Sequence, residues 1–342
     1  MRPGQWDPAI PYLNTASYGL PPRAGWDALQ SALEDWRGGR TSWEHWGEST
    51  ERARRCFARL NAVPEASVAI GGTVSELVGL VAASIPDGSE VLTAEGDFAS
   101  LLFPWAVQEG REVRVSSVPL RELAGAVQTR TDVVAVSAVQ SATGEVADLA
   151  AIVSAARAVS ALVVVDATQA CGWLPLDARD IDAFVCAGYK WLLAPRGTAY
   201  LAVGERLAPS LRPLHAGWYA GEDVHDSYYG LPLRLASSAR RFDTSPAWFS
   251  WVGAAPALEL LEEVGIEAIR EHNVALANRF RAGLGLGPSD SAIVSASVAN
   301  ASERLESAGI RIATRAGSLR ASFHLYNTED DVDAALVALG AG

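Results

Sequence analysis

Short apolar runs rich in β-branched residues alternate with stretches of helical periodicity between residues 67 and 203. Turn-forming residues follow each run, and the runs lie at 67–70, 133–139, 161–165, 183–187 and 199–203. Alternation of this kind predicts a mostly parallel sheet with helices on both faces. We therefore expect an α/β fold in this part of the chain.

The pattern changes after Gly204. Residues 211–250 form a long connection rich in aromatic residues, Gly and Pro, and connections of this length are usually functional or interface-forming. Helical periodicity then covers 251–283 with a break near Gly265, and a short α/β pattern follows over 292–339. We expect two domains: a large one over 15–245, and a smaller one over 1–14 and 246–342.

Four residues with reactive or polar side chains come just after predicted strands. They are Thr73, Ser141, Asp166 and Lys190. Ligands of parallel α/β sheets gather at the carboxyl ends of the strands, where these residues fall. The spacing therefore predicts one binding site along this edge.

The bulk composition excludes several classes of function. With 342 residues, 49% of them hydrophobic, the chain is long enough to bury a large core. The net charge of −12 disfavours a nucleic-acid partner, because clustered Lys and Arg are needed to bind phosphate backbones. No stretch reaches the roughly 18 apolar residues of a membrane span, so we expect no membrane partner and a cytoplasmic location. Three cysteines without CxxC spacing predict neither disulfides nor a metal site.

The basic residues are unusual, because Lys190 is the only lysine beside 27 arginines. A guanidinium stays protonated, whereas a lysine amine can be desolvated, lose its proton and attack a carbonyl. A chain that otherwise avoids lysine is expected to keep one for Schiff-base chemistry. A lysine retained by chance on the surface is the alternative.

The residues around Lys190 favour a role for this lysine in Schiff-base chemistry. Asp166-Ala167-Thr168-Gln169 precedes Gly188-Tyr189-Lys190-Trp191, with Lys190 placed 21 residues after Gln169. A strand-end carboxylate can pair with a protonated pyridine nitrogen, and Gln169 can bond a ring hydroxyl. Together these residues predict pyridoxal 5′-phosphate (PLP) held on Lys190.

At these residues the chain resembles the class V aminotransferase family of PLP-dependent enzymes, which includes cysteine desulfurases, isopenicillin N epimerases, kynureninases and the ergothioneine-pathway C–S lyase. The resemblance is carried by Tyr12-Leu13-Asn14-Thr15-Ala16 with Gly19, Gly72-Thr73, Asp-x-x-Gln at 166–169, Lys-Trp-x-x-x-Pro-x-Gly at 190–197, and residues 320–328. It implies PLP fold type I, with a seven-stranded, mostly parallel sheet and a smaller C-terminal α/β domain. It also implies a homodimer whose active sites lie at the subunit boundary.

The resemblance assigns further cofactor residues. Gly72, Thr73 and Val74 correspond to the phosphate cup, and Phe98 falls where the family places the ring that stacks on PLP. Relatives carry Ser-x-His before the lysine, where this chain has Ala187-Gly188-Tyr189, so we expect Tyr189 to bind the phosphate instead. Thr244 is the expected phosphate ligand from the partner subunit, with Ser245 as the alternative.

The resemblance also assigns the substrate residues. Arg320 corresponds to the arginine that clamps the α-carboxylate of an amino-acid substrate, and a bidentate fork suits that group. Arg315 is the less favoured candidate for the same role. Asn14 belongs to the N-terminal motif, and Ser141 replaces the family asparagine, so both are expected near the substrate.

Cysteine desulfurases carry a nucleophilic cysteine shortly before the segment equivalent to Arg320, but residues 309–319 contain none. The favoured prediction is therefore a C–S β-lyase acting on a cysteine conjugate or its S-oxide, after Lys190 removes the Cα proton. Transamination, epimerisation and PLP binding without turnover remain open, as does an unrelated α/β ligand-binding protein. Five aromatic residues could line a pocket for a ring-bearing substrate, but packing in the core or an interface is the favoured use of any single one: Trp43, Trp46, Trp105, Trp218 and Tyr219.

Overall fold

The structure is a computed structural model that describes residues 4–341. The α-helices in this range are α1 (Arg23–Arg37), α2 (Trp43–Leu60), α3 (Val74–Ala82), α4 (Ala99–Ala106), α5 (Leu123–Ala126), α6 (Leu149–Ala158), α7 (Trp248–Val264), α8 (Ile266–Gly283), α9 (Ala301–Ser307) and α10 (Glu329–Ala338). The strands are β1 (Val68–Gly71), β2 (Glu90–Ala94), β3 (Arg114–Val118), β4 (Val133–Ser137), β5 (Leu162–Asp166), β6 (Ala183–Ala187), β7 (Ala199–Val203), β8 (Ile293–Ala296), β9 (Ala313–Arg315) and β10 (Ser318–Ser322).

Seven strands form the main sheet in the order β1-β7-β6-β5-β4-β2-β3. Only β7 runs against the others, since it pairs antiparallel with both β1 and β6 while the remaining pairs are parallel. The mostly parallel sheet is thus confirmed, and the five predicted strands correspond to β1 and β4 to β7. The sequence patterns did not predict β2 or β3, and β3 is a largely exposed edge strand whose sequence, RVSSV, lacks an apolar run.

The core lies on both faces of this sheet. Val134 and Val136 of β4 join a cluster with residues of α2, α6 and α7, whereas Val133 and Ala135 join a second cluster with α3 and α4. Successive strand residues point to opposite faces, so a strand covered on both sides must be apolar throughout. This double cover leaves only the strand ends available for polar chemistry.

Local sequence signals determine several helix boundaries. Thr73 caps α3, because its hydroxyl accepts a hydrogen bond from the Glu76 amide. Gly265 separates α7 from α8 and has a φ of 87°, a left-handed conformation that favours glycine. The helix break predicted near this residue is therefore confirmed.

The C-terminal part forms a smaller sheet in the order β8-β10-β9, with its own apolar core that includes residues of α8 and α10. The N-terminal segment joins it through backbone bridges from Tyr12 to Arg311 and from Asn14 to Ser322. Helix α7 packs against α1 and α2 and belongs to the main core. The predicted domain boundary between 245 and 246 stays a prediction.

Among the described residues, no helix is both long and apolar enough to cross a membrane. The expected cytoplasmic location stays a prediction.

A buried ion pair ties α2 to β1 and to the segment that precedes α7. Arg54 Nη2 lies 2.7 Å from Asp243 Oδ2, and Arg54 Nε lies 3.0 Å from Glu51 Oε2. Asp243 Oδ1 also accepts a 2.8 Å hydrogen bond from the Ile70 amide. Burial raises the pKa of the Asp243 carboxyl to about 6, although Arg54 acts against this. The charge of Arg54 is thus compensated where water has no access.

Replacing Asp243 by Asn is expected to lower the free energy of unfolding by about 3 kcal/mol, because Arg54 then keeps a buried charge with one partner fewer. Urea denaturation at neutral pH measures this loss. Asp177→Asn is the matched control, since Asp177 pairs with Arg179 on the exposed surface, where ion pairs contribute little. Equal effects of the two substitutions would contradict the importance of the buried pair.

Candidate active site

A pocket opens at the carboxyl ends of β4, β5 and β6, beside the first turn of α3. It brings together nine of the residues predicted from sequence: Gly72, Thr73, Val74, Phe98, Ser141, Asp166, Gln169, Tyr189 and Lys190. Asn14, Arg320 and Thr244 are not among the lining residues, although Arg320 contacts Ser141. The predicted convergence at this edge of the sheet is therefore observed, whereas the roles of the individual residues stay predictions.

Lys190 follows β6 and is 5% exposed, so its amine lies inside the pocket wall. The Nζ atom is 5.1 Å from the centroid of the Phe98 ring and 5.6 Å from that of Tyr189. Burial lowers the pKa of Lys190 to about 8; Arg320 lowers it further, and Asp166 raises it. A substantial neutral fraction is thus present near physiological pH, as a nucleophile or base requires.

The backbone of Lys190 is held by the N-terminal motif. The Gly19 amide donates a 2.9 Å hydrogen bond to the Tyr189 carbonyl. A Cβ atom on Gly19 would lie 2.0 Å from the Lys190 carbonyl oxygen, so only glycine fits. This contact explains why the N-terminal motif, distant in sequence, belongs to the site.

Asp166 is the last residue of β5 and is buried. Its Oδ1 accepts a 2.9 Å hydrogen bond from the Thr168 amide. Burial raises the pKa of Asp166, and the bonds from Thr168 and the charge of Lys190 oppose that rise. A protonated pyridine nitrogen would stabilise the buried carboxylate in the same way.

The opposite end of the pocket is suited to an anion. Residues 72–75, which lead into the first turn of α3, line it, and helix N-termini present free amides and a positive dipole. Two amides of this segment are engaged, because Gly72 N donates a 2.8 Å bond to Glu76 Oε2 and Glu76 N donates a 3.2 Å bond to Thr73 Oγ1. Ser75 and Ser100 add hydroxyl groups that the sequence patterns did not single out.

Arg196 is the most informative residue that sequence reasoning missed. It lines the pocket, and its guanidinium carbon lies 5.0 Å from the centroid of the Tyr189 ring. No acidic side chain among residues 4–341 pairs with it. The residue occupies the variable position in Pro-x-Gly of the Lys190 motif, so the motif alone assigned it no role.

Gln169 lines the pocket with its hydrogen bonds already engaged. Its Nε2 donates to the Ala16 carbonyl and to Ser141 Oγ, both at 3.0 Å, and its Oε1 accepts from Trp191 Nε1 at 2.8 Å. For Gln169 to form a hydrogen bond with the ring hydroxyl of PLP, one of these three hydrogen bonds would have to break. The predicted role of Gln169 stays a prediction.

Arg320 is almost fully buried behind Ser141. Its Nη1 donates to the Ser141 carbonyl at 2.7 Å and its Nη2 to Ser17 Oγ at 2.7 Å, while Nε is buried without a partner. Burial lowers the pKa of Arg320 to about 10, and the charge of Arg315 contributes. A buried guanidinium without a carboxylate is a suitable anion ligand.

Two other predicted residues lie outside the pocket lining. Asn14 is buried in the bridge to the small sheet, and its Oδ1 has no hydrogen-bond partner. Thr244 is half-buried and follows the anchored Asp243. Their proximity in sequence to site motifs does not bring them into this pocket within one chain.

None of the five aromatic residues that could have lined a substrate pocket lines this one. Trp43 and Trp218 pack against each other with ring centroids 5.0 Å apart, and Trp105 is fully buried. Trp46 contacts Phe249, and Tyr219 contacts Trp248. These rings pack against other side chains, the use that the sequence analysis favoured, although Trp105 Nε1 is buried without a hydrogen-bond partner.

The three cysteines are all free and buried, and none lines the pocket. Burial raises the pKa of Cys186 well above its usual range and also raises that of Cys56, to about 11. Buried thiols of raised pKa are poor nucleophiles.

The residues present fit PLP. Each part of the cofactor finds one partner in the pocket. The buried amine of lowered pKa suits the aldehyde, the strand-end carboxylate suits the ring nitrogen, and the aromatic ring beside the amine suits the pyridine ring. The helix N-terminus with an unpaired arginine suits the phosphate. Together, fold and site define a PLP-dependent enzyme of the α/β class.

The chain belongs to the class-V aminotransferase family, whose sequence pattern, described as Aminotransferase class-V, matches residues 34–303. It is 31% identical to the uncharacterized aminotransferase YcbU of Bacillus subtilis (strain 168), over 88% of this chain and 86% of that protein. It is 29% identical to isopenicillin N epimerase of Amycolatopsis lactamdurans, over 97% of this chain and 95% of that protein.

Two solved structures of the cystine C–S lyase C-DES share the fold. One is a complex with its product cysteine persulfide, and the other is a variant with glycine covalently linked to the PLP cofactor. Their TM-scores are 0.86 and 0.87 at 21% identity, over 97% of this chain and 97% and 96% of those chains. PLP fold type I is therefore confirmed, and PLP is the cofactor of the family.

Uptake of PLP by the cofactor-free protein is expected to depend on pH through Lys190. Because burial lowers its pKa to about 8, the uptake rate should rise with pH and level off above about 8, not above the usual lysine pKa of about 10.4. The change in visible absorbance on mixing measures this rate. Asp166→Asn should shift the midpoint lower, because the Asp166 charge raises the lysine pKa. Visible Schiff-base absorbance in Lys190→Ala would contradict the assignment.

Arg196→Ala is expected to weaken PLP binding about tenfold while leaving the affinity for pyridoxal, which lacks the phosphate, almost unchanged. The physical reason is that the Arg196 guanidinium forms no ion pair within residues 4–341, so that a phosphate bound in this pocket would supply its missing counter-charge. Equilibrium titration of the cofactor-free protein with each aldehyde measures both affinities. An equal loss for the two aldehydes would mean that Arg196 only supports the Tyr189 ring.

Proposed function

We propose that the protein is a PLP-dependent C–S β-lyase that acts on a cysteine conjugate or its S-oxide. The observation that carries the proposal is a pocket lined by a buried amine of lowered pKa but by none of the three cysteines. A base is available for the Cα proton, whereas a thiol that would accept sulfur from the substrate is not. The likeness over almost the full chain to a protein named as a cystine C–S lyase agrees with this choice.

Three residues have separate roles in the removal of the Cα proton. Bound PLP supplies an electron sink that acidifies the Cα–H bond of the attached amino acid. Lys190 anchors the cofactor and, once the substrate amine has displaced it, its Nζ accepts the proton from Cα. Asp166 holds the charge of the ring nitrogen, and Arg320 fixes the α-carboxylate so that the Cα–H bond faces the amine.

Elimination then breaks the bond between Cβ and sulfur. The electron pair of the Cα–H bond forms the new Cα–Cβ double bond, and sulfur departs with the electrons of the C–S bond. The proton held on Lys190 Nζ is available to the departing sulfur. With one water consumed, the products are a thiol, or a sulfenic acid from an S-oxide, together with pyruvate and ammonia.

Transamination is the second candidate, because the curated relative that is 31% identical is named as an aminotransferase. The same residues serve both reactions up to removal of the Cα proton. An aminotransferase differs in returning that proton to the cofactor and in requiring a 2-oxo acid to close its cycle.

The proposal includes a homodimer with active sites at the subunit boundary. Tyr229 and Leu231 are 93% and 89% exposed, and apolar side chains exposed next to one another are typical of interaction surfaces. Thr244 lies after Asp243, whose burial fixes the position of the segment. In the dimer, Thr244 of the partner subunit would add a hydroxyl to the phosphate end of the pocket.

Incubation of the holoenzyme with an S-aryl cysteine conjugate and its S-oxide tests the proposed reaction. We expect pyruvate, ammonia and the sulfur product in equal amounts without any added 2-oxo acid, and no product from Lys190→Ala. L-Alanine serves as the control substrate, since it has no leaving group at Cβ.

Product formation that depends strictly on a 2-oxo acid would contradict elimination and favour the aminotransferase. Exchange of the Cα proton with solvent deuterium and inversion at Cα, without loss of sulfur, would favour an epimerase.

A further inference from the structure

Two arginines of the small sheet share one hydroxyl group near the pocket. Arg315 Nη2 donates to Ser17 Oγ at 3.1 Å, and Arg320 Nη2 donates to the same oxygen at 2.7 Å. Arg320 is paired with Ala313 across the β9–β10 hairpin, so Arg315, two residues further along β9, lies on the same face. The hairpin closes through Ala316 and Gly317, both with positive φ, as a two-residue turn of this kind requires.

This arginine pair lacks a compensating negative charge. The other hydrogen bonds of the two guanidinium groups go to the Thr314 and Ser141 carbonyls and to Ser141 Oγ, and no acidic side chain among residues 4–341 forms an ion pair with either group. The charge of Arg315 lowers the pKa of Arg320, and both arginines lower that of Lys190. A local excess of positive charge therefore exists in a chain whose net charge is −12.

The α-carboxylate of an amino-acid substrate carries one negative charge and would neutralise only one of these two arginines. Arg320 is 1% exposed and contacts Ser141, which lines the pocket, so it is the arginine suited to the end of the substrate near the cofactor. Arg315 is exposed, and the shared Ser17 hydroxyl places it next to Arg320 on the solvent side. Neither Arg315 nor Ser17 lines the pocket, so a substrate group that reaches Arg315 must belong to the outer part of the side chain.

We propose that Arg315 binds a second negatively charged group on the substrate, so that the site selects amino acids with an acidic group in the side chain. The substrate class is thus a dianionic amino acid, such as a cysteine conjugate whose sulfur substituent carries a carboxylate. The proposal rests on the assignment of Arg320 to the α-carboxylate under the proposed function.

Amino acids of the same shape but different charge test whether the site selects an acidic side chain. The holoenzyme is titrated with L-aspartate and L-asparagine, and binding is followed by the change in cofactor absorbance. We expect aspartate to bind about tenfold more tightly, the size of one charge-assisted hydrogen bond, and the difference to shrink as salt is added. Arg315→Gln should abolish the preference without changing the affinity for asparagine, and Arg315→Lys should retain part of it.

Arg311→Gln is the matched control, because Arg311 is another exposed arginine close in sequence to β9 and is expected to leave the preference intact. Equal affinities for the two amino acids in the wild type would overturn the proposal, as would a preference that survives in Arg315→Gln. An equal loss for both amino acids in Arg315→Gln would also overturn it, because Arg315 would then bind the α-carboxylate together with Arg320.

Turnover of S-carboxymethyl-L-cysteine and its amide isostere S-carbamoylmethyl-L-cysteine separates this proposal from the reaction type. We expect kcat/KM for pyruvate release to favour the carboxylate by about tenfold in the wild type, and to favour neither in Arg315→Gln. If neither compound releases pyruvate, elimination fails, while the binding preference for aspartate still decides the role of Arg315.

Discussion

The parallel direction of β4, β5 and β6 is the constraint on which the site depends. Ser137 is paired with Asp166 in register, and Asp166 with Val185, so the carboxyl ends of the three strands meet at one edge. Both faces of these strands are covered by apolar side chains, and burying an isolated charge there would be very costly. Asp166 and Lys190 are tolerated at this edge because each is near the other and near the space that the cofactor fills.

The sequence predicted this arrangement well for a physical reason. Buried parallel strands appear as continuous apolar runs, and a charged residue directly after such a run can only lie at the edge of the sheet. Lys190, Asp166 and the start of α3 were therefore identifiable from local patterns. β3 lacked the pattern because an edge strand exposed to water has no need of apolar residues.

Other features of the site depend on contacts between residues far apart in sequence. The roles proposed for Arg196 and Arg315 depend on the lack of an acidic partner among residues 4–341, and such a lack is not visible in a sequence. The engaged amide of Gln169 is a similar case, since its partners come from residues 16, 141 and 191. For the aromatic residues the sequence allowed both packing and binding, because the size and type of a ring do not distinguish the two.

The scarcity of lysine has a consequence for the surface of the molecule. Lys190 is the only lysine of the chain and is 5% exposed. The described surface therefore carries its positive charge almost entirely on guanidinium groups. Aldehydes, acyl donors and enzymes that modify lysine therefore meet no exposed ε-amine target. An enzyme that handles a reactive aldehyde cofactor is thereby protected from condensing with it at unproductive lysine side chains.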